Sequence, residues 1–116
     1  MMLDFACRRF DLREVVKCGL GLSKADFNIL EELMGDPARW HTTSELAGST
    51  ALDVTTVQRA VKKLHSAGAI LRSQENLSGG GYVFRYRAKD KPELRKLIIA
   101  IVRKWAAKVE EELGSW

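Results

Sequence analysis

Residues 55–68 read TTVQRAVKKLHSAG, and this stretch decides the fold that we predict for the chain. Val57, Val61 and Leu64 recur at positions i, i+4 and i+7, so they share one face of a helix and would attach that face to a core. The opposite face is polar and mostly cationic. It offers Thr55, Thr56, Gln58, Arg59, Lys62 and Lys63.

Capping signals define the elements around this helix. Asp53 is a favoured N-cap, because its carboxylate accepts hydrogen bonds from the free amides of the first turn. Gly68 provides the left-handed residue that commonly ends a helix, so we predict that the helix runs from Asp53 to the residue before Gly68. Upstream, Thr42 and Glu45 form a capping box, which predicts a short helix through about Thr50. A tight connection then leads to Asp53.

Two further helical segments are predicted nearer the N-terminus. Ser23 and Asp26 form another capping box, and the helix that they open should end at Gly35 and Pro37. The preceding residues, 5–16, have an amphipathic pattern that we interpret as a shorter N-terminal helix.

A glycine-rich turn between two strands is predicted after Gly68. Residues 82–87 alternate aromatic side chains with Val83, Arg85 and Arg87, the period of two typical of a half-buried strand. Gly79, Gly80 and Gly81 form the turn and not a phosphate loop, because neither a lysine nor a helix start follows them.

The last 25 residues predict one long helix opened by Pro92, a favoured first helical residue. Its apolar stripe is too wide for a small domain to cover, so we expect a second copy of the chain to cover it. Four stripe residues keep the 4-3-4 spacing of a coiled-coil seam and are the predicted dimer interface. They are Leu94, Ile98, Ile101 and Trp105.

Composition and charge narrow the class of protein. The chain has 116 residues, of which 46% are hydrophobic and 29% charged, values that favour one folded domain. Residues 37–89 hold 8 Lys/Arg against 3 Asp/Glu, a net charge of +5, whereas the whole chain carries +4. A localised basic region indicates a polyanionic partner. With neither a signal peptide nor an apolar run near the ~20 residues of a membrane span, we expect a cytoplasmic protein.

The order of elements is that of a helix-turn-helix followed by a β-hairpin wing. Over residues 20–113 the chain resembles winged-helix transcriptional regulators of the MarR and TrmB type. The residues that carry the resemblance are Leu46-Ala47, Leu52-Asp53, residues 55–61, Leu64, Gly68 and Gly80-Gly81-Tyr82. It implies a mainly α fold with a small β-hairpin and flanking N- and C-terminal helices. The corresponding divisions are an N-terminal arm (1–22), the helix-turn-helix and wing (23–89) and a dimerisation helix (90–116).

The polar face of the 55–68 helix predicts contacts with double-stranded DNA. Its N-terminal end carries hydroxyl, amide and guanidinium groups, which match donor and acceptor patterns of base edges in the major groove. Cations about one turn further on would meet phosphates and give affinity without sequence preference. The predicted base-reading residues are Thr55, Thr56, Gln58 and Arg59, and the predicted phosphate contacts are Thr43, Lys62, Lys63 and His65.

The wing and the turn depart from the family pattern. Related regulators often carry an arginine at the wing tip, but here Arg72, Arg85 and Arg87 lie on the strands. We expect them to contact phosphates or the groove edge, with packing beside aromatic rings as the alternative. Ala51 holds a turn position where the family often has glycine, and a turn of negative φ would tolerate alanine there. The large sugar-binding domain of TrmB and the long arms of MarR are missing, so no effector pocket is inherited.

The leading hypothesis is a homodimeric, sequence-specific regulator with two recognition helices about 34 Å apart, matching half-sites one helical turn apart. A winged-helix adaptor for another protein is the alternative, and a thiol-redox version of the regulator that senses through Cys7 or Cys18 is a further one. No catalytic triad, paired carboxylates, metal-ligand spacing or cofactor motif stands out, so we do not expect an enzyme. Operator, effector and sign of regulation are left open.

Overall fold

The computed structural model describes residues 2–5 and 8–116 of the chain. They form an elongated molecule of 62 × 25 × 25 Å. The strands are β1 (Met2–Phe5), β2 (Arg8–Asp11), β3 (Ile70–Asn76) and β4 (Tyr82–Ala88), and the helices are α1 (Leu12–Leu20), α2 (Lys24–Gly35), α3 (Thr43–Thr50), α4 (Val54–Ser66) and α5 (Lys91–Gly114).

The core lies where α2, α3 and α4 pack together under the base of the β3–β4 hairpin. From α4, the predicted stripe of Val57, Val61 and Leu64 is fully buried. Burying a side chain of this size stabilises the fold by about 1.5–3 kcal/mol. The remaining core side chains are Leu22, Ile29, Leu30, Leu33, Leu46, Ala60, Ala69, Ile70, Tyr86, Ala88 and Leu94.

Both predicted capping boxes are confirmed. The Ser23 hydroxyl accepts from the Asp26 amide at 3.1 Å, and the Asp26 carboxylate accepts from the Ser23 amide at 2.9 Å. Thr42 and Glu45 exchange the equivalent bonds at 3.1 and 3.2 Å. Asp53 accepts from the Thr56 amide at 2.7 Å and caps α4 as predicted. Three helix starts are therefore set by short-range polar contacts.

The predicted wing is confirmed as an antiparallel hairpin in which Ile70 pairs with Ala88 and Asn76 with Tyr82. A backbone bridge extends the hairpin at its base. The His41 amide donates to the Tyr86 carbonyl, and the Tyr86 amide donates to the His41 carbonyl, both at 2.8 Å. No sequence pattern predicts this role of His41, whose side chain is buried. The bridge attaches the wing to the segment between α2 and α3.

The prediction of a helix over residues 5–16 is wrong in its bounds. Residues 2–5 and 8–11 form the antiparallel strands β1 and β2, with the Arg9 and Asp4 side chains 3.1 Å apart across them. Helix α1 starts only after Asp11, whose carboxylate accepts from the Arg13 amide. The two short strands, MLDF and RRFD, mix charged and apolar residues without a strict period of two, and over so few positions the mixture also fits an amphipathic helix.

The expected negative φ at Ala51 is also wrong, because the structure gives this residue a φ of 58°. Ala51 is the left-handed C-cap of α3, in the tight turn that leads to α4. A Cβ in this conformation lies too close to the following carbonyl and costs roughly 1–2 kcal/mol. The chain thus tolerates backbone strain at a turn position that glycine would occupy without strain.

Helix α5 departs from the rest of the molecule after its first turns. Leu94 is buried in the core, and α5 packs on α1 where a Cβ on Gly19 would lie 3.3 Å from Cγ2 of Ile101. From residue 102 onward every residue of α5 is exposed. None of the helices in the described ranges combines the length and the hydropathy needed to cross a membrane.

We expect Ala51→Gly to raise the free energy of unfolding by about 0.5–1 kcal/mol. Glycine removes the left-handed penalty, and the extra freedom of the unfolded chain cancels part of that gain. Urea denaturation followed by circular dichroism measures the change.

Ala100→Gly is the matched control, because Ala100 is an exposed residue inside α5. It should lower the free energy of unfolding by about 0.5–1 kcal/mol. Two changes of the same sign would show that the backbone of Ala51 is not strained.

Candidate nucleic-acid interface

The outer face of α4 is an exposed polar surface of the helix-turn-helix. Because Val57, Ala60, Val61 and Leu64 are buried, the opposite side of the helix must face outward. Thr55, Arg59 and Lys62 stand at i, i+4 and i+7 on that side, and all three are exposed. Because the four buried side chains fix the orientation of α4, the three polar side chains form one outward-facing stripe.

Arg59 and Lys62 are uncommitted within the part of the chain that the structure describes, where neither forms an ion pair. Thr55 lies one turn before Arg59, next to the capped start of α4. A helix N-terminus carries partial positive charge, so this end of α4 favours an anionic ligand. The stripe can therefore donate hydrogen bonds to an anion or to base acceptors.

Lys63 is placed differently from its neighbour Lys62. Its ammonium lies 3.0 Å from the Asp26 carboxylate on α2, and the Asp26 side chain is only 8% exposed. Burial raises the pKa of Asp26, but hydrogen bonds from Ser23 and Lys63 outweigh it and hold the pKa below its ordinary value. Lys63 thus has a charged partner inside the protein, and its predicted phosphate contact would compete with that partner.

The other predicted contacts flank the stripe. Gln58 and His65 are exposed on one side of α4, whereas Thr56 is half-buried on the other. The Thr56 amide already donates to Asp53. Thr43, the first residue of α3, is half-buried close to the start of that helix. These four are near the stripe in sequence, but only Gln58 and His65 are as exposed as Arg59.

Each of the three wing arginines has a partner within the protein. The Arg72 guanidinium lies 4.5 Å from the centre of the Phe84 ring, and that of Arg87 lies 4.8 Å from the centre of the Trp40 ring. Arg85 pairs with Glu75 at 2.7 Å. Arg72 and Arg87 therefore pack beside aromatic rings, the alternative that the sequence analysis left open. Residues 77–81 at the tip of the wing carry no cation.

Glu45 joins the wing to α3. Besides capping α3, its carboxylate pairs with Arg39 and lies 3.8 Å from the Arg85 guanidinium. The hydrogen bond from the Thr42 amide is the main reason that the pKa of Glu45 lies below its ordinary value, and Arg39 adds to the effect. One carboxylate therefore orients both the helix-turn-helix and the hairpin beside it.

The four residues predicted as a dimer interface do not share one free face. Leu94 is only 8% exposed and belongs to the core of its own chain, so its prediction is corrected. Ile98 and Ile101 are half-buried, and Ile101 faces α1 at Gly19. Trp105 is 61% exposed. The four residues lie on one side of α5, but the domain covers that side at Leu94 and leaves it exposed from residue 102 onward.

Of the two cysteines in the redox hypothesis, Cys7 and Cys18, the structure describes only Cys18. Cys18 is a free, exposed thiol on α1, and Cys7 lies outside the described residues. Within the described residues, no group of three or more His, Cys, Asp or Glu side chains is arranged to hold a metal ion.

Comparison with protein families identifies the chain. The model of the DnaD N-terminal domain matches residues 10–109, which include every element from α1 to most of α5. The chain belongs to the DnaD N-terminal domain family. The match includes α3, α4 and the β3–β4 wing, so the candidate interface lies inside the family domain.

One solved structure and one curated protein are similar to this chain over most of its length. The structure of a "possible transcriptional regulator" from Methanosarcina mazei Go1 is 46% identical, has a TM-score of 0.93 and covers 100% of this chain and 97% of its own. An uncharacterized protein of Methanocaldococcus jannaschii is 27% identical over 90% of this chain and 78% of its own length.

A MarR protein from Peptoclostridium difficile superimposes with a TM-score of 0.56 at 18% identity, over 90% of this chain and 65% of that one. At this identity the likeness concerns the fold alone. The chain therefore shares the winged-helix fold of that MarR protein, the fold that its resemblance implied.

We expect Asp26→Asn to lower the free energy of unfolding by about 1–3 kcal/mol at pH 7, because it breaks the pair with Lys63 while keeping a cap acceptor for Ser23. The pKa of Asp26 is lowered by folding, so the ion pair stabilises the protein above the ordinary aspartate pKa of about 3.9 and is lost as the pH falls below it. The difference between the two proteins should therefore shrink in acid.

Urea denaturation at a series of pH values between about 7 and 3 provides the test. Asp36→Asn, at an exposed residue just after α2, is the matched control and should show little effect. A loss in Asp26→Asn that stayed constant across the series would assign the effect to the cap and not to the ion pair.

Proposed function

We propose that this protein is a sequence-specific, double-stranded-DNA-binding transcriptional regulator that acts as a homodimer. The observation that carries the proposal is the exposed stripe of Thr55, Arg59 and Lys62 on a helix whose other face is locked in the core. The net charge of +5 over residues 37–89 supports it. So does the 46% identical protein from Methanosarcina mazei Go1, which is described as a possible transcriptional regulator.

In the proposed complex α4 enters the major groove. Arg59 donates two hydrogen bonds to guanine, Gln58 pairs with adenine, and Thr55 and Thr56 contact neighbouring base edges. Lys62, Thr43 and His65 lie against phosphates, which fix the register of the helix. Arg72, Arg85 and Arg87 have partners in the protein, so the wing contributes mainly by shape and by the outer N–H groups of these arginines.

The first test is fluorescence anisotropy with short labelled duplexes drawn from the source genome, at two salt concentrations. Arg59→Ala should lose about 1–3 kcal/mol of the preference for the tightest-binding duplexes over the others. Lys96→Ala, which removes an exposed cation from α5, is the control and should keep that preference. Absence of binding at low salt, where non-specific contacts still hold, would refute the proposal.

The two adjacent lysines provide a sharper comparison. Lys62→Ala should weaken binding to all duplexes alike and reduce the salt slope by about 1, because one phosphate contact is lost. Lys63→Ala should change the slope less, since its ammonium is already paired with Asp26 at 3.0 Å. Equal slopes for the two variants would mean that Lys63 leaves Asp26 when DNA binds.

A winged-helix adaptor is the second candidate function, favoured by the exposed apolar face of α5, which includes Trp105 and Trp116. In that case charge reversal at Arg59 and Lys62 would leave partner binding intact. The redox version of the regulator rests on the exposed thiol of Cys18. An oxidant that leaves the DNA affinity of the intact protein unchanged would exclude it.

A further inference from the structure

Val54, the first residue of α4, is an apolar side chain within a polar surface. It is 41% exposed, and among residues 13–76, all of which the structure describes, it is the one large apolar residue that is exposed. The exposed residues that follow it on α4 are Thr55, Gln58 and Arg59, which present a hydroxyl, an amide and a guanidinium. The helix-turn-helix therefore covers its other large apolar side chains at least in part and leaves this one in the solvent.

Val54 is exposed because α4 extends beyond the core at its N-terminal end. Val61, seven residues later, lies within about 20° of the same line along the helix and is buried. The uncovered end is the one that the proposed complex places at the base edges. In a helix, valine has one strongly preferred χ1 rotamer, so the two methyl groups of Val54 point in a nearly fixed direction and lose little freedom on binding.

Gln58 follows Val54 by four residues and is exposed on the same side of α4. The Cβ atoms of residues at i and i+4 lie about 5–6 Å apart on a helix surface. Successive base pairs of B-DNA are about 3.4 Å apart. Val54 and Gln58 can therefore face one base pair, or two pairs that are at most two steps apart. They form an apolar and amide pair beside the stripe of Thr55, Arg59 and Lys62.

The chemistry of the major groove narrows what Val54 can contact. The base edges there present hydrogen-bond donors and acceptors, and the one apolar group among them is the C5-methyl group of thymine. An apolar protein partner would need a wider apolar surface than a single side chain, and the exposed residues next to Val54 are polar or charged. An adenine that Gln58 binds through N6 and N7 is paired with thymine, whose methyl group lies in the same groove.

We propose that Val54 is a specificity-determining residue that recognises the 5-methyl group of a thymine, in or beside the A·T pair that Gln58 reads. This inference rests on the proposed function for DNA binding, and it adds the identity of one base pair of the site. The other three bases lack a methyl group at this place in the groove, so each of them leaves Val54 without its contact. Together with a guanine at Arg59, one α4 then requires an A·T pair and a G·C pair within the same half-site.

Replacement of single thymidines by deoxyuridine tests the contact, because it removes only the methyl group and keeps the base pair. Each thymidine of the tightest-binding duplex is replaced in turn, and the affinity is measured by fluorescence anisotropy. We expect at least one thymidine whose replacement weakens binding by about 4-fold, the effect of one methylene-sized group that is no longer buried. With Val54→Ala, the same replacement should change the affinity by less than about 1.5-fold, since the methyl group has already lost its contact.

Val102→Ala is the matched control, because Val102 is also 41% exposed but lies on α5. This variant should keep the full sensitivity to the methyl group. A change of DNA shape caused by deoxyuridine would act on both variants alike, so the coupling between Val54 and the methyl group isolates their contact. Val54 lies outside the buried core cluster, and urea denaturation should therefore find Val54→Ala folded and close to the unaltered protein in stability.

A second base analogue locates the contact of Gln58. Replacement of adenine by 7-deazaadenine removes the N7 acceptor, so at one adenine it should weaken binding of the unaltered protein but not of Gln58→Ala. The thymine whose methyl group Val54 contacts should lie within two base pairs of that adenine. A larger separation would overturn the inference, because the two side chains are only one helical turn apart.

The outcomes separate this inference from the proposed function. DNA binding in which no thymine methyl group affects the affinity, or in which the methyl effect is unchanged in Val54→Ala, overturns the role of Val54 and leaves the regulator in place. Absence of DNA binding at low salt rejects the proposed function and this inference together.

Discussion

The burial of one face of α4 is the constraint on which the structure depends. Val57, Val61 and Leu64 fill the space between α2, α3 and the base of the wing, so α4 cannot rotate about its axis without opening the core. Loss of one such side chain costs about 2–5 kcal/mol when it is truncated to alanine, a large fraction of the stability of a small domain. The direction of Arg59 and Lys62 is thereby fixed by apolar packing and needs no polar contact of its own.

Carboxylates that begin helices also join separate elements. Asp26 caps α2 and holds Lys63 of α4, and Glu45 caps α3 and holds Arg39 and Arg85. In both cases the capping hydrogen bond already holds the carboxylate side chain in place, so less side-chain entropy is lost when the ion pair forms. Asp26 and Glu45, which the sequence predicts as caps, therefore also set the angles between α2, α4 and the wing.

The sequence was sufficient where local chemistry decides the structure. Capping boxes, the Gly68 stop and the alternation of residues 82–87 predicted α2, α3, α4 and the wing, because each depends on neighbours within a few positions. It failed for the β1–β2 hairpin, where four-residue strands are too short to separate a period of 2 from a helical one. Ala51 was missed because the geometry of the turn, and not the preference of alanine, decides its φ. Of the candidate site, the exposed stripe followed from periodicity, whereas the partners of Lys63, Arg72, Arg85 and Arg87 depend on side chains far away in sequence.

Helix α5 is continuous from Lys91 to Gly114, and its first turns pack in the core through Leu94. Its length and rotation therefore fix where its far end lies relative to the domain. Each residue adds about 1.5 Å of length and about 100° of rotation. If α5 carries the contact between the two copies of the proposed homodimer, the number of residues between Leu94 and Trp105 sets both the distance between two α4 helices and their phase around a DNA duplex. A relative with one residue more or fewer in this segment would thus read half-sites on a different side of the double helix, even with an identical α4.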